Sequence, residues 1–431
     1  MLIDDVTLTD LEVVRSLDGS EGIFALIDRT RTSVGRRSLG RRLKRPSSDI
    51  EQIRETQVAV RFLREHGHVV DFDERSIRPV LHYLRSNIEL AADSRVGARV
   101  EQAWLAIRYR DLLKEIRDGQ AATEALCRHL CAICLRLADR TPPPVIADFA
   151  ASLHETASSV LDTLGSENTV LADRRLRGVL KGPILDAIQT IGELDALASM
   201  AASGAELGWC TPTLVESQNF IFEAQGVFHP FVADPVSNPV ELSGGEPVVF
   251  LTGPNMAGKT TYLRSVALVV LLAQAGMDVP ATSARLTPVE ALFTSLNPSD
   301  NLKAGLSYFL AEVMRVKVAA TLLAEGKRSL VLFDEVFKGT NVKDALEASA
   351  EVILGFARAR NSGFMFASHL AELAHSLDSN PAIRFCYFDG EILQGSPSYS
   401  YALKDGVSDK RFGLLLLRRA EIPELMARIS A

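Results

Sequence analysis

Two rhythms of apolar residues divide this chain. From about Gly35 to Gly204, apolar positions recur three and four residues apart with charges between them, as in ETQVAVRFLREHG, EQAWLAIRYRDLLKEIRDG and ATEALCRHLCAICLRLADR. That spacing predicts amphipathic helices. TPPPV (Thr141–Val145) ends one helix and starts another, because proline cannot continue a helix but opens one well. GPILDAIQTIGELDALASMAASGAE predicts one long helix leading out of this half. From about Cys210 the rhythm changes. PVVFLTG, RSLVLFDE and SGFMFASH are short apolar runs, each followed by a helical pattern, which predicts a mostly parallel sheet covered on both faces. Asp409–Ser430 predicts two short helices, with Ile422-Pro423 opening the second. The change falls near Gly204–Pro212, so the expected division is a helical domain over 1–208, an α/β domain over 209–408 and a helical tail over 409–431.

Bulk numbers narrow the class. A chain of 431 residues has room for two or three cores, and 47% apolar with 23% charged residues is ordinary for a globular protein. A formal charge of -7 argues against a uniformly basic nucleic-acid coat, although a local basic face remains compatible with it. The N-terminus, MLIDDVTLTDLEVV, lacks the basic-then-apolar order of a signal peptide. The apolar run Val266–Ala273 is far short of the roughly 20 residues that span a bilayer. The expectation is a cytoplasmic protein with no membrane partner, and five cysteines suit a reducing compartment. Cys127, Cys131 and Cys134 share one apolar helical stripe while His129 points elsewhere, so a buried helix face is expected there rather than a zinc site.

The chemistry concentrates in VVFLTGPNMAGKTTYLRSVALVVLLAQAG (Val248–Gly276). Gly253-Pro254-Asn255-Met256-Ala257-Gly258-Lys259-Thr260 fits the G-x-x-x-x-G-K-[ST] phosphate loop, between a predicted strand and a predicted helix. Its glycines allow successive N–H groups to face a phosphate, and the helix adds the positive end of its dipole. Lys259 is expected to reach the β- and γ-phosphates, and Thr260, followed by Thr261, to offer a hydroxyl to Mg²⁺. SLVLFDEV supplies a strand ending in Asp334, a second Mg²⁺ partner, and Glu335, a candidate general base for the attacking water. SGFMFASHL ends a third strand at Ser368-His369, where a histidine can sense the γ-phosphate or orient the water.

GPNMAGKTTYLRSVALVVLLAQAGMDVPA, LVLFDEVFKGTN and FASHLAEL together resemble the ATPase domain of the MutS family of DNA mismatch-repair proteins, which is related to ABC-type ATPases. FALIDRTRTSVGRRSLGRRLKRP resembles the start of that family's helical core domain, so the likeness runs from about Gly22 to Ile429. It implies an all-α lever or core domain joined to an ABC-like phosphate-loop domain that binds ATP with Mg²⁺ and works as a homodimer. It further implies that Ser307, with Gly305 and Asn301 nearby, reaches the γ-phosphate held by the other subunit. By the same likeness Asn255 contacts phosphate or water, Asn238 lies near the nucleotide, His369 acts beside Glu335, and His229-Pro230 is the turn opening the domain. The chain departs from the family pattern at Ala257, at Leu306 and Tyr308 beside the signature serine, and in the tail at Arg411 and Glu421. Pro235 and Val236 stand where an aromatic residue often covers adenine. Mismatch-reading members carry an N-terminal mismatch-binding domain and a connector, and the sequence reads as a short form without them; Phe72-Asp73-Glu74 matches their Phe-x-Glu spelling by coincidence.

Between Arg29 and Arg45 lie eight Arg or Lys residues and no acid (RTRTSVGRRSLGRRLKR), which makes Arg36, Arg37, Arg41 and Arg42 candidates for DNA phosphates. The reading is a MutS-like ATPase that couples ATP hydrolysis to DNA binding in repair or recombination. The alternative is a nucleotide-switched ATPase whose helical half grips another protein and no nucleic acid.

Overall fold

The structure, a computed structural model, describes residues 1–14, 21–86, 90, 94–296, 308–337, 339–393, 396–410 and 421–429. Helices come first: α1 (Asp5–Asp10), α2 (Ile23–Ile27), α3 (Ser33–Lys44), α4 (Ile50–His66), α5 (Glu74–Arg85) and α6 (Arg95–Arg108). Four longer or capping helices follow, α7 (Arg110–Ala138), α8 (Pro144–Ser166), α9 (Thr169–Arg177) and α10 (Lys181–Leu207). The rest alternates: β1 (Thr213–Leu214), β2 (Ile221–Val227), β3 (Asn238–Ser243), β4 (Val248–Thr252), α11 (Lys259–Gln274), β5 (Ser283–Leu286), β6 (Ala291–Ser295), α12 (Tyr308–Ala324) and β7 (Ser329–Asp334). It ends with α13 (Val342–Phe356), β8 (Gly363–Ala367), α14 (Ala371–Leu377), β9 (Ile383–Leu393), β10 (Ser396–Asp405) and a last helix over Ile422–Ile429. No helix among the described residues is long and apolar enough to cross a membrane.

Two compact units emerge. One comprises Leu26–Arg42 and Glu55–Leu207; the other comprises Met1–Ala25, Leu43–Arg54 and Gly208–Ala431. In the helical unit, α7 buries Leu113, Ile116, Thr123, Leu130 and Leu137 along one stripe, as its three-and-four spacing requires. Cys127 and Cys134 lie on that stripe and are buried; burial pushes the Cys127 thiol up to about 12. His129 instead reaches the carbonyl of Asp71 at 3.2 Å. Helix α10 buries residues on nearly every side, and Gly35 of α3 packs so tightly on it that an added Cβ would lie 2.1 Å from the Asp195 carboxylate. That carboxylate is buried, accepting from the Thr32 N–H at 2.9 Å and the Thr32 hydroxyl at 2.6 Å, and it fixes the turn into α3.

The α/β unit carries a six-stranded sheet in the order β10-β9-β4-β8-β7-β6, parallel except for β10. Every residue of β4, β6, β7 and β8 is buried, the mark of parallel strands covered on both faces. A second sheet, β1-β5-β2-β3, is absent from the expected architecture. Its strands are mostly antiparallel and half-exposed, and β1 has only two residues, too few to leave a pattern in the sequence.

The N-terminus also departs from the expected division. Residues 1–25 cluster with the α/β unit rather than with the helices. Leu2 bridges to Ala291 beside β6, the Thr294 N–H donates to Thr7 at 3.0 Å, and buried Asp10 accepts from the Thr294 hydroxyl at 2.7 Å and the Leu296 N–H at 3.0 Å. Arg315 of α12 closes an ion pair on Asp4.

Candidate functional site

The register of the parallel sheet brings the motif residues together. Ala367 of β8 pairs with Leu251 of β4 on one side and with Asp334 of β7 on the other. The loop after β4, the acids ending β7 and the histidine after β8 therefore leave the sheet side by side at its carboxyl edge, where ligands of open α/β sheets bind. The Glu335 N–H donates to the Ala367 carbonyl at 2.8 Å and the Ser368 N–H to the Leu251 carbonyl at 2.9 Å, so the strand ends are laced across β8.

The loop is built around two glycines with positive φ, Gly253 at 136° and Gly258 at 101°. At Gly253 an added Cβ would also meet the Phe388 carbonyl at 2.6 Å, so only glycine lets the loop turn this close to β9. Met256 and Glu335 are non-glycine residues at positive φ, 68° and 57°. Such backbone is uncommon for L-residues and concentrates where side chains must be aimed. Ala257 is wholly buried beneath the loop, and Asn255 and Met256 are exposed at its tip.

Lys259, at the start of α11, is buried, and its ammonium donates to the carbonyls of Gly253 at 2.7 Å and Pro254 at 3.1 Å. The Thr260 hydroxyl hydrogen-bonds the Asp334 carboxylate, linking the loop to β7 across β8. His369 Nδ1 lies 3.3 Å from Glu335 Oε1, with the histidine half-exposed and Glu335 more sheltered. Thr260 and Asp334 together present hard oxygen donors, the set that suits a Mg²⁺ held beside phosphates.

A cavity of about 690 Å³ opens over this constellation, lined by Asn255, Met256, Gly258, Lys259, Thr260, Thr261, Asp334 and Glu335. Pro235 and Val236 line its far wall, as does Asn238. The Asn238 side-chain amide is occupied in holding the neighbouring strand: it donates to the Tyr401 carbonyl at 2.9 Å and accepts from the Leu403 N–H at 2.7 Å. Those bonds pin a register shift of β10 between Tyr399 and Leu403, where Tyr401 sits at φ 53°. Its half-exposed ring thereby enters the cavity and lies against Gly258, where an added Cβ would be 3.3 Å from Tyr401 Cδ1.

Two residues of this wall gave no chemical signal in the sequence. Tyr401 depends on a bulge that no local pattern announces. His229, noticed only as part of a turn, is buried in the cavity wall with Nδ1 facing the Phe231 N–H at 3.4 Å and Nε2 lacking a partner among the described residues. Burial and then the neighbouring Arg264 guanidinium push its pKa down to about 4, so the ring is neutral at pH 7.

Other expected site residues fall elsewhere. Ser307, with Gly305 and Asn301, lies outside the described residues, as does Arg411. In the helical unit, Arg36 pairs with Asp28 at 3.2 Å, and Arg41 and Arg42 both pair with Glu193, at 3.3 and 2.8 Å. Of the four candidate phosphate ligands, Arg37 alone makes no ion pair among the described residues.

A helical unit joined to a parallel-sheet unit, with a glycine-bounded loop, a hydroxyl-carboxylate link and a Glu-His pair at the sheet's carboxyl edge, defines a two-unit protein with one candidate site at that edge. The comparisons place it more narrowly. MutS domain III matches residues 6–201 and MutS domain V matches residues 249–430. The chain belongs to the MutS family. A DNA mismatch repair protein MutS of Dinoroseobacter shibae is 28% identical over 98% of this chain and 60% of its own length. A protein of the same name from Granulibacter bethesdensis is 33% identical over 57% of this chain and 27% of its own length. The chain thus spans less than two thirds of each of these relatives.

Proposed function

We propose that the chain binds and hydrolyses ATP with Mg²⁺ at the carboxyl edge of the six-stranded sheet, as an ABC-like phosphate-loop ATPase. The observation that carries this reading is the convergence of Lys259, Thr260, Asp334 and Glu335 at one cavity, with His369 3.3 Å from Glu335, from three neighbouring strands. The loop N–H groups and the start of α11 hold the phosphates, and Lys259 exchanges its two loop carbonyls for phosphate oxygens. Thr260 and Asp334 would hold Mg²⁺, which supplies neutralising charge to the triphosphate. Glu335 accepts the proton of the attacking water, and His369, within hydrogen-bond reach, orients that carboxylate. Tyr401 offers the adenine an aromatic face that Pro235 and Val236 do not.

Two relatives named as DNA mismatch repair proteins extend the reading to DNA maintenance, with ATP-driven pairing of two α/β units moving helical units that contact DNA. The test is ATP turnover by the purified chain. Lys259→Ala is expected to lower it at least about 100-fold through loss of charge stabilisation, and Glu335→Gln to lower it about 100- to 10,000-fold while ATP still binds. Turnover unchanged in both variants would remove the site assignment.

A further inference from the structure

The helical unit contains a second built hollow whose chemistry is unlike that of the nucleotide cavity. It measures about 450 Å³ and is lined by Arg37 of α3 and by Arg78, His82 and Arg85 of α5. On α5 these three stand at i, i+4 and i+7, one face of the helix spanning about 10 Å. The ends of α3 and α5 are tied together at the hollow's head. Glu74, the first residue of α5, accepts from the Ser33 N–H at 2.7 Å and from the Ser33 hydroxyl at 3.0 Å. Its carboxylate, the one acid in the lining, is therefore engaged in starting α3. Among the described residues the three guanidiniums make no ion pair, whereas Arg36, Arg41 and Arg42 on the same helix as Arg37 are neutralised by Asp28 and Glu193. Asp111, Glu115 and Asp118 of α7, with Lys114, line a different hollow that shares only His82 with this one, so acids outnumber bases there and the α3–α5 groove is the hollow whose charge suits an anion.

Three exposed guanidiniums converging on one groove of a chain with net charge -7 form a local anion site, and planar five-donor groups match phosphate oxygens in pairs. A strand of DNA offers one phosphate per about 3.4 Å of axis, so a groove of this length meets about three. We propose that the Arg37–Arg78–Arg85 groove is a phosphate site that takes the backbone of a nucleic-acid strand, and that it, rather than the paired arginines of α3, is the helical unit's DNA contact. This rests on the DNA half of the reading above and is independent of the ATP half.

The experiment is binding of a fluorescein-labelled DNA duplex followed by anisotropy across a salt series, without nucleotide. Wild type is expected to bind at low salt, and Arg37→Gln/Arg78→Gln/Arg85→Gln to bind about 10-fold more weakly, with the slope of log K against log salt reduced by about 3. Arg78→Gln alone should reduce it by about 1, which keeps the test readable if the triple variant folds poorly. Arg36→Gln/Arg41→Gln/Arg42→Gln should leave the slope unchanged. Lys259→Ala should bind as wild type does, so a failed ATP assignment would not touch this result. Binding by wild type with both groove variants unchanged overturns the groove but leaves DNA association standing, whereas no binding by wild type overturns both. Complete displacement of the duplex by inorganic tripolyphosphate at equal phosphate concentration makes this a free-polyanion site and overturns the nucleic-acid assignment.

Discussion

At the scale of single residues, the site separates groups proposed to act on phosphate from groups that shape its surroundings. Tyr401 belongs to the second kind. Its ring enters the cavity because Asn238 clamps the carbonyl of Tyr401 and the N–H of Leu403. Tyr401→Ala is expected to weaken ATP about 10-fold, from loss of stacking worth about 1–2 kcal/mol, while Tyr401→Phe binds as wild type. Titration with a fluorescent ATP analogue measures this, and equal affinity for all three proteins would remove Tyr401 from the base site. Asn238→Ala should copy the Tyr401→Ala loss even though its own amide faces the strand. His229 yields a pH dependence of known sign. The folded protein holds its ring neutral with a pKa near 4, whereas the unfolded chain takes up the proton near 6.5. Its contribution is therefore complete above about pH 6.5 and is lost as pH falls towards 4. Between pH 7 and pH 5 this amounts to about 2 kcal/mol. Urea midpoints at both pH values should show a drop for wild type that is much smaller for His229→Asn.

Whole elements show how far local pattern reaches. The strand–loop–helix from Val248 to Gln274, the strand ending at Asp334 and the strand before Ser368 were legible because each motif is contiguous and its rhythm local. The docking of residues 1–14 was not, since the partners of Asp10 and Asp4 lie 284 and 311 positions away. An acid-rich opening such as MLIDDVTLTD reads as a solvated start until Thr294 and Arg315 are seen to receive it. The ion pairing of the basic run was hidden for the same reason: Glu193, which neutralises Arg41 and Arg42, sits on α10, about 150 residues downstream. The pairing of α3 with α10 makes a stability prediction at this scale. Asp195→Ala leaves the Thr32 N–H and hydroxyl without their acceptor in a buried turn, and is expected to cost about 2–3 kcal/mol. Urea denaturation followed by helical circular dichroism measures it. A loss below about 0.5 kcal/mol would mean that the turn into α3 holds without the carboxylate.

For the whole molecule, the proposed pairing turns on what a second copy would add to a site with so many of its parts in one chain. Within one chain Lys259, Thr260, Asp334 and Glu335 line one cavity, with His369 beside Glu335, and Asn255 and Met256 are exposed in the same lining. Charge spreading over the γ-phosphoryl oxygens during transfer needs donors on its outer side as well. Ser307, which the resemblance assigns to the partner's nucleotide, is the residue proposed to supply one. Closure of two chains over two triphosphates would then make ATP the linker of the pair. Hydrolysis would release it, because ADP leaves that outer donor without an oxygen to bind. The expected outcome is specific. Glu335→Gln with ATP and Mg²⁺ should elute near twice the 47.0 kDa of one chain, and the same variant with ADP near 47.0 kDa. Adding Ser307→Ala should return the ATP-bound form to single chains without abolishing ATP binding. Light-scattering mass measurements on the three samples decide it. A single-chain mass with saturating ATP would show that ATP does not join two chains, and the helical units would then lack the paired motion proposed for them.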